Sequence, residues 1–297
     1  MLIYIIPIMT ILGYSEIKLR AVPNDYSYKH EWMTNNYSSV RILNLGSSHG
    51  YFGIKPEYFS QSAFNLAFSS QSLKYDEFLY NAYATQCDSL SYLIVPVSYF
   101  SMRSHLETGI EGWRTKGYCI YMGCDFHQNE PFYNLEIMSK DKLLSIFDVI
   151  FDRISFVSCD TLGCGTSYKM EYRNKDWSST GETACERHTY SNNKKIVGEN
   201  IEYLQHIIAD CQKRDIKVIL LTTPTYHTYY EMLELVQLEE MESICNNLDE
   251  QYENVVYLNW LKHKDFTDED FYDADHLNEY GAEKLTKMLD QHIMNWR

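Results

Sequence analysis

Short apolar runs with almost no charge recur along this chain, and stretches of helical periodicity separate them. The runs lie at residues 40–45, 64–68, 92–97, 218–221 and 255–258. Residues 92–97 carry no charge at all, as expected of a strand covered on both faces. Between the runs, Tyr75, Phe78, Leu79 and Ala82 fall on one helical side within 73–84. Val197, Ile201, Leu204, Ile207, Ile208 and Cys211 repeat at helical spacing, as do Met232, Leu235, Val236, Met241, Ile244, Cys245 and Leu248. A last helix is expected over 279–294, with Asn278 as its cap. Strand–helix alternation of this kind predicts an α/β fold, a three-layer α/β/α arrangement around a mostly parallel sheet.

Two regions break the alternation. Residues 101–193 are rich in Gly, Cys, Tyr and charge, and only 140–151 looks helical there. This stretch reads as an insertion over the sheet edge that shapes a pocket. Residues 2–12 are nearly all apolar, interrupted by Pro7 and Thr10. They are shorter than the ~20 residues a spanning helix needs. No basic residue precedes them, as one would in a signal peptide; Lys18 and Arg20 come after. Two readings fit: the tail of a membrane anchor that starts upstream, or a buried first strand or helix. On the anchor reading, residues 23–39 are a polar linker. The expected organisation is therefore an apolar segment and linker over 1–39, then one α/β domain over 40–297.

Composition removes some functions. The 297 residues carry a formal charge of −15, which argues against a nucleic-acid partner. The 26 tyrosines are either flat rings for stacking on sugars or side chains suited to half-wet positions. Of the eight cysteines, Cys211 and Cys245 fall on apolar helix faces as core thiols. The other six, Cys87, Cys119, Cys124, Cys159, Cys164 and Cys185, could pair as disulfides in an exported protein. The pairs Cys119/Cys124 and Cys159/Cys164, with His127 and His188 downstream, sit at the upper limit of zinc-ligand spacing and match no zinc knuckle, so no metal is expected. No phosphate-binding glycine loop is present, and no cofactor is expected.

The chemistry-bearing residues lie where the expected fold puts ligands, beyond the carboxyl ends of strands. Ser48 follows the first run within Gly46-Ser47-Ser48-His49, Ser98 follows the third, and His276 follows the last within Asp273-Ala274-Asp275-His276. A serine hydroxyl needs a base to take its proton, histidine is the usual base, and a carboxylate must hold the ring's tautomer. Asp273, three residues before His276, can reach back to Nδ1 and leave Nε2 for Ser48. Asp275 is the alternative orienting acid. His49 reads either as a substrate contact or helper of the nucleophile, or as a polar residue at a helix start. Gln71, Tyr99 and His227 are further pocket candidates.

This pattern resembles the SGNH or GDSL-like hydrolase superfamily, over about residues 40–100 and 196–297. Ser48 matches that family's nucleophile, Asp273 its acid and His276 its base, and Leu277-Asn278-Glu279-Tyr280-Gly281 resembles the run after its histidine. More narrowly, the layout is similar to envelope proteins that move acyl groups on bacterial glycans, of the DltD-like and alginate-acetylation types. The resemblance implies a flavodoxin-like SGNH fold and a serine esterase or O-acyltransferase acting on acylated carbohydrate. It also implies an extracytoplasmic, membrane-anchored location and polysaccharide-assembly partners. The chain departs from the family at three places. Ser47 stands where the family has Asp, Ser70 where it has the oxyanion glycine, and Ser98 where it has the oxyanion asparagine. The expected oxyanion donors are therefore the backbone N–H groups of Ser48 and Ser70, with the Ser98 hydroxyl. The altered donors leave a second expectation open, a weak or inactive glycan-binding component on the same scaffold.

Overall fold

The structure is a computed structural model that describes residues 2–130, 132–138 and 154–296. The helix expected over 140–151 lies outside the described residues. Two compact units form, one from 1–35 with 110–158, the other from 36–109 with 159–297. The 101–193 stretch is divided between the two, with 110–158 in the smaller unit and its two ends in the larger one.

The larger unit is built on five parallel strands, β1 (Ile42–Asn44), β2 (Ala63–Asn65), β3 (Tyr92–Pro96), β4 (Lys217–Thr222) and β5 (Val255–Asn259). Their order is β2-β1-β3-β4-β5, the flavodoxin-like arrangement, in which ligands sit where the order reverses between β1 and β3. Ile42 pairs with Ala63 on one side and Tyr92 on the other, and Ile94 pairs with Ile219. The strands are short and buried because helices cover both faces. Ile42, Ile94, Ile219 and Leu221 share one cluster with Leu285, Leu289 and Ile293 of the C-terminal helix (Glu279–Asn295). Successive strand residues face opposite ways, so Leu43, Leu93, Val218 and Leu220 are buried on the other face. Helices Leu73–Ala82, Lys194–Lys213 and Leu235–Gln251 complete the layers. In the long helix expected from Met232, the first residues instead precede Leu235, and a short turn of helix at His227–Tyr230 stands before it. The core thiols are as expected, with Cys211 and Cys245 fully buried. None of the eight cysteines is in a disulfide in this structure.

In the smaller unit, residues 2–20 form a helix (Leu2–Arg20), and the stretch expected to be a linker contains a second one (Asp25–Asn36). Its turn is set by Asn24, whose side chain accepts from the N–H groups of Tyr26 and Ser27. Glu16 accepts from the N–H groups of Glu136 and Ile137 at 3.0 and 2.9 Å, and Leu19 and Val22 pack on Ile137, Ile154 and Phe156. Among the described residues no helix is long and apolar enough to cross a membrane.

Candidate active site

The chain turns sharply after β1. Gly46 adopts φ +100°, and a Cβ there would come within 2.9 Å of the Pro96 ring, so only glycine fits. Its N–H is donated to the buried carboxylate of Asp76 at 2.7 Å. Gln71 Nε2 donates to the same oxygen at 2.5 Å. One carboxylate therefore ties the loop before Ser48 to the loop after β2. Burial pushes the Asp76 carboxyl up to about 7 against the pull of these two donors. In the second loop Ser70 adopts φ 61°, the left-handed conformation that the resemblance assigns to glycine at this place. A short helix, Ser48–Gly53, starts at the candidate nucleophile. Asn65, at the end of β2, pins it by donating to Gly50 O at 2.9 Å and Ile54 O at 2.8 Å, and Asn44 at the end of β1 donates to Asn65 Oδ1 at 2.9 Å.

From the far end of the chain, a tight loop delivers the histidine. Tyr272 N–H donates to His276 O at 2.9 Å, and Asn278 N–H donates to Asp270 O at 2.9 Å. Inside the loop, Asp273 Oδ1 accepts from the backbone N–H groups of Asp275 at 3.1 Å and His276 at 2.8 Å. Thr180 accepts from Ala274 N–H at 2.9 Å. The loop then enters the last helix at Asn278, whose side chain accepts from Tyr280 and Gly281 N–H.

These two parts meet. Ser48 Oγ lies 2.8 Å from His276 Nε2, and His276 Nδ1 lies 3.0 and 3.2 Å from the two oxygens of Asp273. With a carboxylate on Nδ1, the neutral ring carries its proton there and Nε2 accepts from Ser48. Burial pulls the His276 pKa down, but the carboxylates of Asp275 and Asp273 outweigh it and hold the ring well above its ordinary value.

Asp275, the alternative orienting acid of the sequence reading, lies farther from His276 Nδ1 than Asp273 does and also faces two other imidazoles. Its side chain is 1% exposed, and neither oxygen has a hydrogen-bond partner. Oδ1 is 3.4 Å from His276 Nδ1, while Oδ2 is 3.8 Å from both His49 Nε2 and His188 Nδ1. Burial alone would keep this acid protonated, yet the charge of His276 brings its pKa well below the ordinary value. Burial lowers His49, and lowers His188 to about 3, so both rings are neutral.

The remaining candidates fall into two groups. His49 and Ser98 join the site: His49 is buried, its ring centroid 4.9 Å from that of His276, and its Nδ1 is 2.6 Å from Ser98 Oγ. With Asp275 on the Nε2 side, the neutral ring keeps its proton on Nε2, and the Ser98 hydroxyl donates to Nδ1 rather than into open space. The Ser98 N–H is also used, donated to Ser101 Oγ at 2.9 Å. The other candidates are turned away. Gln71 is buried and holds Asp76. The Tyr99 hydroxyl contacts Thr189 at 3.0 Å and accepts from Glu234 N–H at 3.2 Å, which makes it a strut between loops. His227 is about half exposed and faces Glu231 one turn on. Substrate roles for Gln71, Tyr99 and His227 are not what these contacts favour, since their polar atoms already serve other residues. Further aromatic side chains complete the surroundings: Tyr168 stacks on Phe52 at 3.7 Å and on Tyr272 at 4.2 Å between ring centroids, and meets the His276 ring edge-on with centroids 5.0 Å apart. Phe52 and Tyr272 lie beside the two motifs; Tyr168 and His188 come from the insertion, where only His188 was marked, and then for its place downstream of the cysteine pairs.

No family model and no curated relative matches the chain. Solved structures do resemble it. One is a GDSL-like lipase from Bacteroides thetaiotaomicron, at 10% identity and TM-score 0.42, covering 91% of this chain and 100% of that one. Another is described as a candidate lipolytic protein of the G-D-S-L family from Desulfitobacterium hafniense, at 8% identity and TM-score 0.42, covering 85% and 98%. A third is described as a candidate acylhydrolase from Bacteroides fragilis, at 9% identity and TM-score 0.42, covering 86% of each chain.

Proposed function

We propose that this protein is a serine-dependent esterase or O-acyltransferase of the SGNH/GDSL type, acting on an acylated carbohydrate of the cell envelope. The observation that carries the chemistry is the continuous chain from Ser48 Oγ through His276 to Asp273, at 2.8 and 3.0 Å. Ser48 Oγ attacks the acyl carbonyl as His276 Nε2 takes its proton. The same proton is returned to the leaving alkoxide, giving an acyl-serine. Water or a sugar hydroxyl then attacks the acyl-serine, completing hydrolysis or transfer. Asp273 holds Nδ1–H and stabilises the imidazolium. The Ser48 and Ser70 backbone N–H groups receive the oxyanion. The Ser98 hydroxyl, committed to His49, contributes there only if that bond reorganises. One missing donor costs about 2.7–4 kcal/mol of transition-state stabilisation, so a slow enzyme is expected. The carbohydrate part rests on the sequence resemblance, since in the stack beside His276 both faces of Tyr168 are covered, by Phe52 and Tyr272.

A fluorophosphonate probe tests the chemistry. Labelling of Ser48 that disappears in Ser48→Ala and His276→Ala is the expected result. A folded chain that resists the probe at every pH would remove the esterase reading and favour the glycan-binding one.

A further inference from the structure

We propose that His49, Asp275 and His276 form a binding site for a zinc-like divalent cation, and that the bound cation silences Ser48. The proposal rests partly on the serine reading for its consequence, but not for the site itself. Among the described residues this is the only group of three metal-binding side chains found together, with ligand atoms all within 4.8 Å of one another, and all three residues are buried.

The starting point is Asp275. A buried carboxylate with no hydrogen bond to either oxygen is expensive, and two imidazole nitrogens face it at 3.4 and 3.8 Å. Those separations are too long for hydrogen bonds. The 3.4 Å separation matches the edge of a coordination tetrahedron, since metal–ligand bonds of ~2.0–2.1 Å put ligand atoms about 3.3–3.4 Å apart, and the 3.8 Å one has to close to that length when the cation binds. His49 Nε2 is likewise buried without a partner. Its other nitrogen has the support that metal-bound imidazoles usually have. When a cation takes the Nε2 lone pair, the single proton of the neutral ring moves to Nδ1 and is donated to Ser98 Oγ, 2.6 Å away. His188 Nδ1, 3.8 Å from Asp275 Oδ2 and 2.8 Å from the Tyr229 hydroxyl, is placed to give a fourth ligand if it leaves Tyr229. Two or three imidazoles with one carboxylate are a borderline donor set, suited to Zn²⁺ rather than to Mg²⁺ or Ca²⁺.

The consequence follows from which nitrogen is taken. The cation binds His276 Nδ1, so the single proton of the neutral ring shifts by way of solvent from Nδ1 to Nε2, and the Nδ1–H bond to Asp273 is lost. Nε2, which faces Ser48, then carries that proton. An Nε2–H cannot accept the serine proton, so the hydroxyl stays unactivated while the cation is bound.

The experiment uses the full chain. Zn²⁺ binding is measured by calorimetry, with Mg²⁺ as the hard-cation probe, and Co²⁺ is used for its visible spectrum. Expected are one Zn²⁺ per chain, no Mg²⁺ binding, and the intense d–d bands of a four-coordinate Co²⁺ site. Asp275→Asn and His49→Gln, each checked for folding by circular dichroism, should each weaken Zn²⁺ by at least about 100-fold, more than the loss of a ligand's hydrogen-bond partner generally costs. No Zn²⁺ binding by the parent chain, or equal binding by a folded variant, overturns the site. Fluorophosphonate labelling is then repeated with Zn²⁺ and after chelation. Labelling lost with Zn²⁺ and restored by the chelator supports the silencing; unchanged labelling of the Zn²⁺-loaded chain overturns it. A chain that binds Zn²⁺ as expected yet never labels would count against the esterase reading and leave the site supported.

Discussion

At the scale of single residues, the site depends on how buried carboxylates are compensated. Asp273 is the only acid of the group with a full set of donors: two backbone N–H groups and the His276 ring. Replacing it with Asn keeps an acceptor for the backbone but lets an amide N–H face Nδ1, which turns the ring to the wrong tautomer. Ester turnover should fall by roughly 10⁴ while the fold is kept, as tautomer inversion does in serine proteases; turnover and circular dichroism measured together check this. Asp76 makes a separate prediction. Its carboxyl is pushed from its ordinary 3.8 up to about 7 by burial. The folded chain therefore holds a proton that the unfolded chain releases near pH 4. This contribution to stability is complete below pH 4 and is lost as the pH climbs through 7, on the order of 4 kcal/mol in all. Asp76→Asn, with the Gln71 amide flipped to accept, should lack this dependence. Thermal melts from pH 4 to 8 should show the parent's midpoint falling relative to the variant; parallel curves would remove the claim.

At the scale of elements, the two loops that bear the oxyanion donors make the same backbone demand, a residue at positive φ, and meet it with different residues. Gly46 needs its positive φ and its missing Cβ, because Pro96 lies against it. Gly46→Ala should destabilise the chain by more than about 1 kcal/mol and reduce labelling of Ser48. Ser70 holds a left-handed conformation with a side chain in place. Ser70→Gly should stabilise by up to about 1 kcal/mol if relief of strain exceeds the entropy gained by the unfolded chain, and denaturant midpoints give the sign. The cap of the last helix acts in both directions: Asn278 Oδ1 accepts from Tyr280 and Gly281 N–H, and its Nδ2 donates to Glu269 O at 2.8 Å. Asn278→Ala should cost roughly 1–2 kcal/mol and loosen the loop that holds His276, so turnover should fall with stability.

At the scale of the whole molecule, each unit carries its own features. In the smaller unit, Ile6, Ile8, Met9, Ile11, Leu12 and Ile17 of the first helix are exposed. They surround the helix rather than form one stripe, the pattern of a segment that meets apolar surroundings on several sides. We propose that this helix seats the chain on a membrane surface. With a net charge of −15, neutral vesicles are the fair probe. Co-sedimentation of the full chain should be clear, and should drop several-fold in Ile8→Asp with Ile11→Asp. Equal sedimentation of both would end the idea.

The strands, the flanking helices, the Asn278 cap and the pairing of Ser48 with His276 and Asp273 were legible from the amino acids. Each rests on local rules: apolar runs, helical spacing, a capping residue, and an Asp three residues before a His. Other features were not legible. The helix at Asp25–Asn36 has only a weak apolar face, so periodicity did not mark it as more than polar linker. The division of residues 101–193 between two units, the inward turn of Tyr99 and Gln71, and the arrival of His188 and Tyr168 depend on contacts between residues far apart in the chain. The role of Asp275 shows the difference most plainly. A carboxylate beside His276 looks like a duplicate of Asp273 in one dimension. Only tertiary packing excludes water from it, strips it of hydrogen bonds and surrounds it with three imidazoles, because burial and the direction of a side chain belong to the folded surroundings rather than to the residue.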